Sequence, residues 1–458
     1  MTHTRSRLVC KGIVGIAAVT SLAVLVGCKR NRPVTIRLAG DAWFLNALTR
    51  TGKIAEFEKK TGIQVDVIHI HDEAIVTELD KDPASDHGPY DLIVLRHRFL
   101  GELVERGRVQ PIESFLADPS VHFQSFDPRQ QLFPNLWREI SWYNNRAYGY
   151  PFTVLTTYLC YRKDLLDNPK EKALFKVRYH RDLVPPKTWQ EYTQVAEFFT
   201  RPKENLYGTY IQGESHIALW YEWLNFSYSF GGNILDTRHG WQYGNVVVNS
   251  PQNVAATRQY LKLIAFSPPQ TLSYNWNDAL DALQQGRAEM GLLWSDQIPL
   301  LEDPSHSKVA GKIGYSLIPS AIGKPFSQLE GLSYLIPSFS AHPRAAYRFM
   351  EWALSPDVQI AQTLDGSLSP VKATYHDARV RALPYGSAFL EGVPVAIPKP
   401  TIPQSPQIVE EMERGLRAIV TRKCSPQQGL DAMAVEIQKI LGAKARLRYP
   451  VKTRGCPN

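Results

Sequence analysis

Short apolar runs alternate with amphipathic stretches along this chain, and their order predicts an α/β fold. Val34-Thr35-Ile36-Arg37-Leu38 alternates apolar and polar positions with a period of two, the pattern of a strand with one buried face. Residues 45–60 place apolar groups at helical spacing, with Gly62 as the stop. Ile63, Val65, Val67 and Ile68 make a second strand, and residues 73–80 a helix. Leu92-Ile93-Val94-Leu95 is a continuous apolar strand, and residues 99–106 form a helix ended by Gly107. Strands that alternate with helices predict a parallel sheet covered on both faces.

A second α/β unit follows residue 153. Residues 156–161 read as a strand. Thr188-Trp189-Gln190-Glu191 is a capping box, in which the threonine hydroxyl satisfies one free N–H and the glutamate returns to another. Ser250-Pro251 starts a helix with proline where no N–H is needed. Asn277 is expected to cap a helix that runs to Gly286. Residues 288–293 and 313–318 read as strands, and 343–354 and 356–364 as helices. Six prolines between 384 and 406 mark a connector rather than a helix. Two amphipathic helices, near 407–421 and 427–441, close the pattern.

The amino terminus changes the picture. Arg5, Arg7 and Lys11 precede an apolar run from Gly12 to Val26. The run is short, rich in small residues, and placed where a secretion signal belongs. It ends in Leu25-Val26-Gly27-Cys28, which resembles the lipobox of bacterial lipoproteins. The resemblance implies cleavage after residue 27 and lipidation of Cys28, whose thiolate is the nucleophile for thioether formation. An ordinary signal peptide or an anchor helix is the plainer alternative. Removing 27 of 458 residues leaves 431, too many for one core and suited to two lobes. No second stretch of about 20 apolar residues suggests a further membrane span.

The formal charge is +8, and the leader supplies three of those cations and no anion. Both signs are mixed along the remainder, a solvated surface rather than a nucleic-acid stripe. Of five cysteines, Cys10 leaves with the leader and Cys28 takes lipid. Cys160 lies in an apolar strand as a buried thiol. Cys424 and Cys456 flank the last helix in a compartment that permits disulfides, and their pairing stays open because sequence does not report Cα separation. No C-x-x-C pattern supports zinc or thiol-redox chemistry.

Several segments, in order, carry a broader resemblance: Glu56-Phe57-Glu58-Lys59-Lys60-Thr61-Gly62-Ile63-Gln64-Val65, Tyr90-Asp91-Leu92-Ile93-Val94, Leu103-Val104-Glu105-Arg106-Gly107, Tyr148-Gly149-Tyr150-Pro151, Leu159-Cys160-Tyr161-Arg162-Lys163-Asp164-Leu165, Pro186-Lys187-Thr188-Trp189-Gln190-Glu191, Gln285-Gly286-Arg287-Ala288-Glu289-Met290 and Phe349-Met350-Glu351-Trp352-Ala353-Leu354-Ser355-Pro356. Over residues 34 to 441 the chain resembles the extracellular solute-binding proteins that include the maltose- and other sugar-binding components of ABC importers. The resemblance implies a two-lobed α/β fold of the periplasmic-binding-protein type II, with three interlobe crossings. Lobe one is 34–153 plus 331–366, lobe two 155–330 plus 367–447, and 448–458 a tail. Residues 28–33 are a lipidated tether. Crossings fall near 153–155, 329–332 and 366–370, where Glu330-Gly331 and Gly366 allow bending. The implied function is capture of a sugar or sugar derivative between the lobes and delivery to ABC permease subunits. The protein would work as a monomer without metal or cofactor, in the periplasm or at the cell surface, anchored to a membrane through Cys28.

Ligand clefts in open α/β sheets lie past the carboxyl ends of strands. Asp41, Trp43 and Asn46 follow the first strand; an indole can stack on a sugar's C–H face and a carboxylate can accept from hydroxyls. Trp43 could equally staple the first helix to the core. Arg96, His97 and Arg98 follow the third strand, where the family places aromatic or acidic contacts. Three basic groups favour a ligand with a carboxylate or phosphate, unless the loop is solvated or pairs with Glu102. Tyr221 resembles a stacking position of the family, and of Trp220, Tyr221 and Trp223 at least one must face the core. Trp294, Ser295 and Asp296 resemble a family loop that holds an aromatic. Glu330 and Ser333 sit at a crossing, and Tyr143 and Tyr150 are rim candidates. The ligand-binding set is therefore Asp41, Trp43, Arg96, His97, Tyr221, Trp294, Asp296 and Glu330.

The competing class is a lipid-anchored hydrolase. Gly213-Glu214-Ser215-His216-Ile217 starts like a nucleophile elbow but lacks the closing glycine. His69, His71, Asp72 and Glu73 cluster without a metalloprotease or calcium-loop pattern. No P-loop or dinucleotide fingerprint occurs, so no catalytic residue is assigned. A sensor or scaffold subunit would carry the same sequence features as an importer component.

Overall fold

A computed structural model describes residues 33–81, 87–123, 126–453 and 456. The expected secretion signal at 1–27, the expected lipidation site Cys28 and most of the expected tether lie outside the described residues. Residues Val34–Asn458 form one unit.

Eight strands of the described residues make one mixed sheet: β1 Thr35–Gly40, β2 Gln64–His69, β3 Leu92–Arg96, β4 Gly149–Arg162, β5 Met290–Trp294, β6 Ile313–Ser316, β7 Ser327–Leu335 and β8 Ala396–Pro398. Their order is β2-β1-β3-β7-β4-β5, with β8 on β7 and β6 on β4. The expected parallel sheet holds for β1, β2 and β3 and for β8 on β7. Elsewhere it fails, because β7 runs antiparallel to β3 and β4, and β4 runs antiparallel to β5 and β6. Strand direction is set by long connections, here those between residues 163 and 326, which local periodicity does not report.

β4 pairs with β7 from Gly149 to Thr156 and then, from Thr157, with β5 and β6. β7 likewise pairs with β8 over Ser327–Leu329 and with β3 over Leu332–Leu335. The changes of neighbour fall between Thr156 and Thr157 in β4 and between Leu329 and Leu332 in β7. β4 is buried for all but its last two residues, so it has no alternation to mark its start. Only its carboxyl-terminal portion, 156–161, was expected as strand.

Other boundaries follow local chemistry. The expected helix over 45–60 is two helices, Ala42–Thr49 and Lys53–Thr61, because Gly52 between them adopts φ +69°. Thr188 and Glu191 make the expected capping box, and Ser250 accepts from the Asn253 N–H. Asn275, not Asn277, caps the helix Trp276–Gln284, because its side chain accepts from the Asn277 N–H and Asp278 returns to its backbone. The proline-rich stretch contains the helix Gly386–Gly392 and strand β8, since its prolines fall where no N–H is required. Cys160 is a buried free thiol, and Cys424 and Cys456 are bridged.

The core divides around the sheet. Leu45, Phe57, Tyr347, Phe349 and Trp352 pack over the β1–β3 end. Trp189, Trp223, Tyr260, Met412 and Met433 pack over the β5–β6 end. Trp294 touches both groups. Tyr143 and Tyr150, expected at the rim, are buried instead: Tyr143 donates to Glu105 at 2.9 Å and Tyr150 meets the Tyr347 hydroxyl at 3.0 Å. A phenol's apolar ring favours burial whenever its hydroxyl finds a partner.

The helix Ile217–Ser229 is apolar almost all round and buries every residue after the first. Within it Glu222 accepts from Tyr260 and from the Gln212 N–H, each at 2.6 Å. Burial pushes its carboxyl up to about 7 in spite of these bonds. A folded pKa above the unfolded value of about 4.3 means that stability is complete at low pH and declines as pH rises toward 7. Glu222→Gln keeps an acceptor for both donors and is expected to remove that decline, a gain of up to about 3 kcal/mol at neutral pH. Urea midpoints from pH 4 to 8 test this; a parent–variant difference flat in pH would show that Glu222 is not protonated in the fold.

Candidate ligand cleft

The carboxyl ends of β1, β3 and β5 and the middle of β7 bring separate loops to one cavity of about 250 Å³. Asp41 ends β1's loop and caps the first helix by accepting from the Trp43 N–H at 2.9 Å. That cap presents the Trp43 indole, which remains 52% exposed and donates to Asp296 at 2.9 Å. Trp294 closes β5, and the Ser295 N–H bonds the Thr156 carbonyl, holding the turn that carries Asp296. Phe44, Leu155, Trp276 and Tyr221 complete an apolar wall.

Arg96 reaches the cavity from β3 with its guanidinium paired to the buried Asp72 and 5.1 Å from the Phe44 ring centre. Burial raises the Asp72 carboxyl pKa against the pull of Arg96. Arg98 bonds Glu73 at 2.9 Å and the Tyr221 hydroxyl at 3.2 Å. His97 turns inward, its Nδ1 2.6 Å from Glu330 and 3.1 Å from the Gly331 carbonyl. Both neighbours are acceptors, so Nδ1 carries the proton. Glu102, the partner considered from sequence, pairs instead with Arg106 at 2.7 Å.

Glu330 is the hub beneath the cavity. It accepts from Tyr221 at 2.8 Å and from the Gly331 N–H at 3.1 Å, and pairs with His97 and with Lys399 at 3.1 Å. Burial opposes its ionisation, but Lys399, His97 and Arg98 together hold its pKa well below the usual glutamate range. Lys399 Nζ also donates to the Leu329 carbonyl at 2.9 Å and lies 4.4 Å from the Tyr221 ring centre and 5.1 Å from that of Trp294. Burial lowers Lys399 to about 8, Glu330 opposing the fall and the neighbouring arginines adding to it.

Six of the eight residues chosen from sequence line this cavity: Trp43, Arg96, Tyr221, Trp294, Asp296 and Glu330. Asp41 and His97 stand behind it as supports. Trp220 is buried beside Tyr221, and Ser333 is buried against Ser141 at 2.7 Å. Phe44, Leu155, Trp276, Asn277 and Gln297 line the cavity without having been chosen. Asn277 was singled out only as a helix cap, and Trp276 not at all. Lys399, flanked by Pro398 and Pro400, carried no signal of its place.

A second cavity of about 310 Å³ shares Trp43, Phe44, Leu155 and Asp296 with the first and adds Asn46, Arg50, Asp365 and Ser367. A larger depression, about 1040 Å³, lies over the helices Ser405–Val420 and Pro426–Leu441. It holds none of the chosen residues and no aromatic wall, so the smaller cavities are the chemically shaped ones.

An aromatic-walled cavity at strand ends with a few fixed polar groups has the form of a small-molecule binding site. The chain belongs to the bacterial extracellular solute-binding protein family, whose profile matches residues 47–360. A probable amino-acid ABC transporter periplasmic-binding protein of Sinorhizobium fredii is 23% identical over 420 residues, 88% of this chain and 90% of its own length. The mannitol-binding protein of Pseudomonas aeruginosa is 23% identical over 431 residues, 88% of this chain and 91% of its own. An Agrobacterium radiobacter solute-binding protein solved with ribitol superposes with a TM-score of 0.72 at 24% identity, covering 89% of this chain and 98% of that one. Maltose-bound MalE3 of T. maritima gives 0.71 at 23%, covering 89% and 100%. These structures share the type II periplasmic-binding fold with this chain.

Proposed function

We propose that this protein captures an uncharged, polyhydroxylated small molecule, a sugar or sugar alcohol, and delivers it to an ABC importer from the outer side of a membrane to which Cys28 anchors it. One observation carries the ligand class. Asp296 and Gln297 line the cavity beside Trp43, Tyr221, Trp276 and Trp294. Carboxylate and amide oxygens accept from hydroxyl groups. Aromatic faces beside them suit the C–H faces of a ring or chain of carbinols. The loop cations no longer argue for an anion: Arg96, His97 and Arg98 each pair with a carboxylate of the chain. Relatives that bind mannitol, ribitol or maltose by name agree with this reading.

The two lobes expected from sequence would hinge where β4 and β7 change neighbours and near Gly366, whose φ is +101°. The Trp43–Asp296 bond and the Arg50–Asp365 pair at 2.5 Å would join parts that separate on opening. Only a ligand with higher affinity for the closed form drives that motion. A hydrolase is disfavoured by the Ser215 region: His216 Nδ1 accepts from the Ala218 N–H as a helix cap, and Ser215 lies 3.5 Å from Glu413.

Thermal shift with mannitol, ribitol and maltose, beside uronates and sugar phosphates, tests the proposal. A neutral binder at 100 times its Kd is expected to add about 2.7 kcal/mol, with no shift from the anions. A shift confined to the anions would overturn the assignment of ligand charge, and no shift from any member would overturn the sugar class.

A further inference from the structure

The helix Pro169–Tyr179 stands proud of the fold: of its eleven residues, all described, Phe175 alone is buried. Phe175 packs on Tyr179 and Phe198, and Arg201 clasps Glu171, so the helix is firmly attached by one side. Its outer side is not the usual polar surface. Leu174 is 60% exposed and Val177 77%, the two most exposed large apolar side chains described, and they are neighbours at i, i+3. Lys170 and Arg178 lie at i−4 and i+4 from Leu174, and Lys176 and His180 border Val177. Val184, in the segment that follows, is also exposed.

The charge around this apolar pair is one-sided. Residues 162–187 hold eight Lys and Arg against four Asp and Glu, an excess of four in a chain whose formal total is +8. Ion pairs at the surface partly occupy these cations: Lys172 with Asp167, Lys176 with Asp182 and Arg178 with Glu197. Their side chains are between 44% and 74% exposed, so the pairs are weak and exchangeable, and Lys170 takes part in none of these three.

We propose that the outer face of the helix Pro169–Tyr179 is a docking surface for an anionic lipid bilayer, with Leu174 and Val177 entering the headgroup boundary and the surrounding lysines and arginines meeting lipid phosphates. Exposed apolar side chains flanked by cations, here Lys170 and Arg178 one turn either side of Leu174, are a feature shared with interfacial helices. Lysine stems lie along apolar surface while their ammonium groups stay at the polar level. A protein partner fits less well, since protein interfaces are depleted in lysine at their centres and this helix carries three in eleven residues, Lys170 one turn from Leu174. The inference stands apart from the ligand reading and does not require the acyl chain on Cys28.

The test uses the chain from residue 29 onward, which has no acyl chain and retains the whole unit Val34–Asn458. It is co-sedimented with vesicles of phosphatidylcholine, or of equal parts phosphatidylcholine and phosphatidylglycerol. Expected is partition onto the anionic vesicles at least about tenfold above the neutral ones at low salt, falling toward the neutral level near 1 M salt, where the Debye length is about 3 Å. Lys170→Glu/Lys176→Glu is expected to abolish the preference, and Leu174→Ser/Val177→Ser to weaken binding several-fold while leaving its salt dependence. Lys59→Glu/Lys60→Glu changes net charge equally on another exposed helix end and is expected to keep binding. All of these positions are exposed except for part of the lysine stems, and circular dichroism verifies that each variant folds. No anionic preference in the parent, or equal loss in the two lysine pairs, overturns the proposal. Cross-linking of Val177→Cys to an importer subunit without vesicle binding would assign the face to a protein instead.

Discussion

Glu330→Gln is expected to destabilise the chain by about 3–5 kcal/mol, the range for removing one partner from a buried ion pair. The glutamate accepts or pairs with Tyr221, His97, Lys399 and the Gly331 N–H. An amide of the same shape keeps an acceptor but cancels the charge that compensates Lys399 and Arg98. The pH dependence gives an independent check. Glu330 is held well below its ordinary pKa, so its contribution is complete above about pH 4.3 and is lost as pH falls through the folded value. The variant should therefore lose much of the acid sensitivity of the parent while being weaker at neutral pH. Urea unfolding at pH 7 and pH 3 measures both. Equal stability of parent and variant at pH 7 would mean that the charge cluster is compensated elsewhere. Because Glu330 also lines the cavity, any loss of ligand affinity in this variant must be read against its stability.

Trp294→Ala is expected to reduce ligand affinity by about 2–4 kcal/mol, or about 30- to 1,000-fold, the scale of a central aromatic anchor. Trp294 stands at the end of β5, lines the cavity, packs against both core groups and faces Lys399 across its ring. Truncation removes a stacking face and also leaves a void, so stability falls as well. Trp294→Phe separates the two effects, since a phenyl ring retains a stacking face and most of the packing. Isothermal titration with whichever of mannitol, ribitol or maltose gives the thermal shift provides the measurement. Affinity that survives in the alanine variant would place the ligand in the adjoining cavity near Arg50 and Ser367.

Much of the site was legible because the relevant signals are local. Asp41 and Trp43 follow an alternating strand, and Trp294 and Asp296 follow an apolar one, so strand-end loops could be found and their aromatic and acidic members singled out. The suggestion of an anionic ligand came from the same loops. Arg96, His97 and Arg98 look like a free basic cluster until Asp72, Glu73 and Glu330 are brought against them. Tyr143 and Tyr150 failed as rim residues for a related reason, since the hydroxyls that make them polar are satisfied by Glu105 and Tyr347 inside the fold.

What the amino-acid order alone determined is whatever depends on neighbours within a few residues: apolar periodicity, the Thr188–Glu191 capping box, the left-handed stop at Gly62, and the position of the loops that leave β1, β3 and β5. The family resemblance added the fold type. Tertiary structure decided the rest: the antiparallel entry of β4 and β7, the pairing of each loop cation, and the placing of Lys399 beneath Tyr221 and Trp294. Those outcomes rest on contacts between residues far apart in the chain, such as Trp43 with Asp296 across 253 positions and Tyr221 with Glu330 across 109. Burial makes each such charge or hydrogen bond consequential, and burial is a property of the assembled chain rather than of any segment.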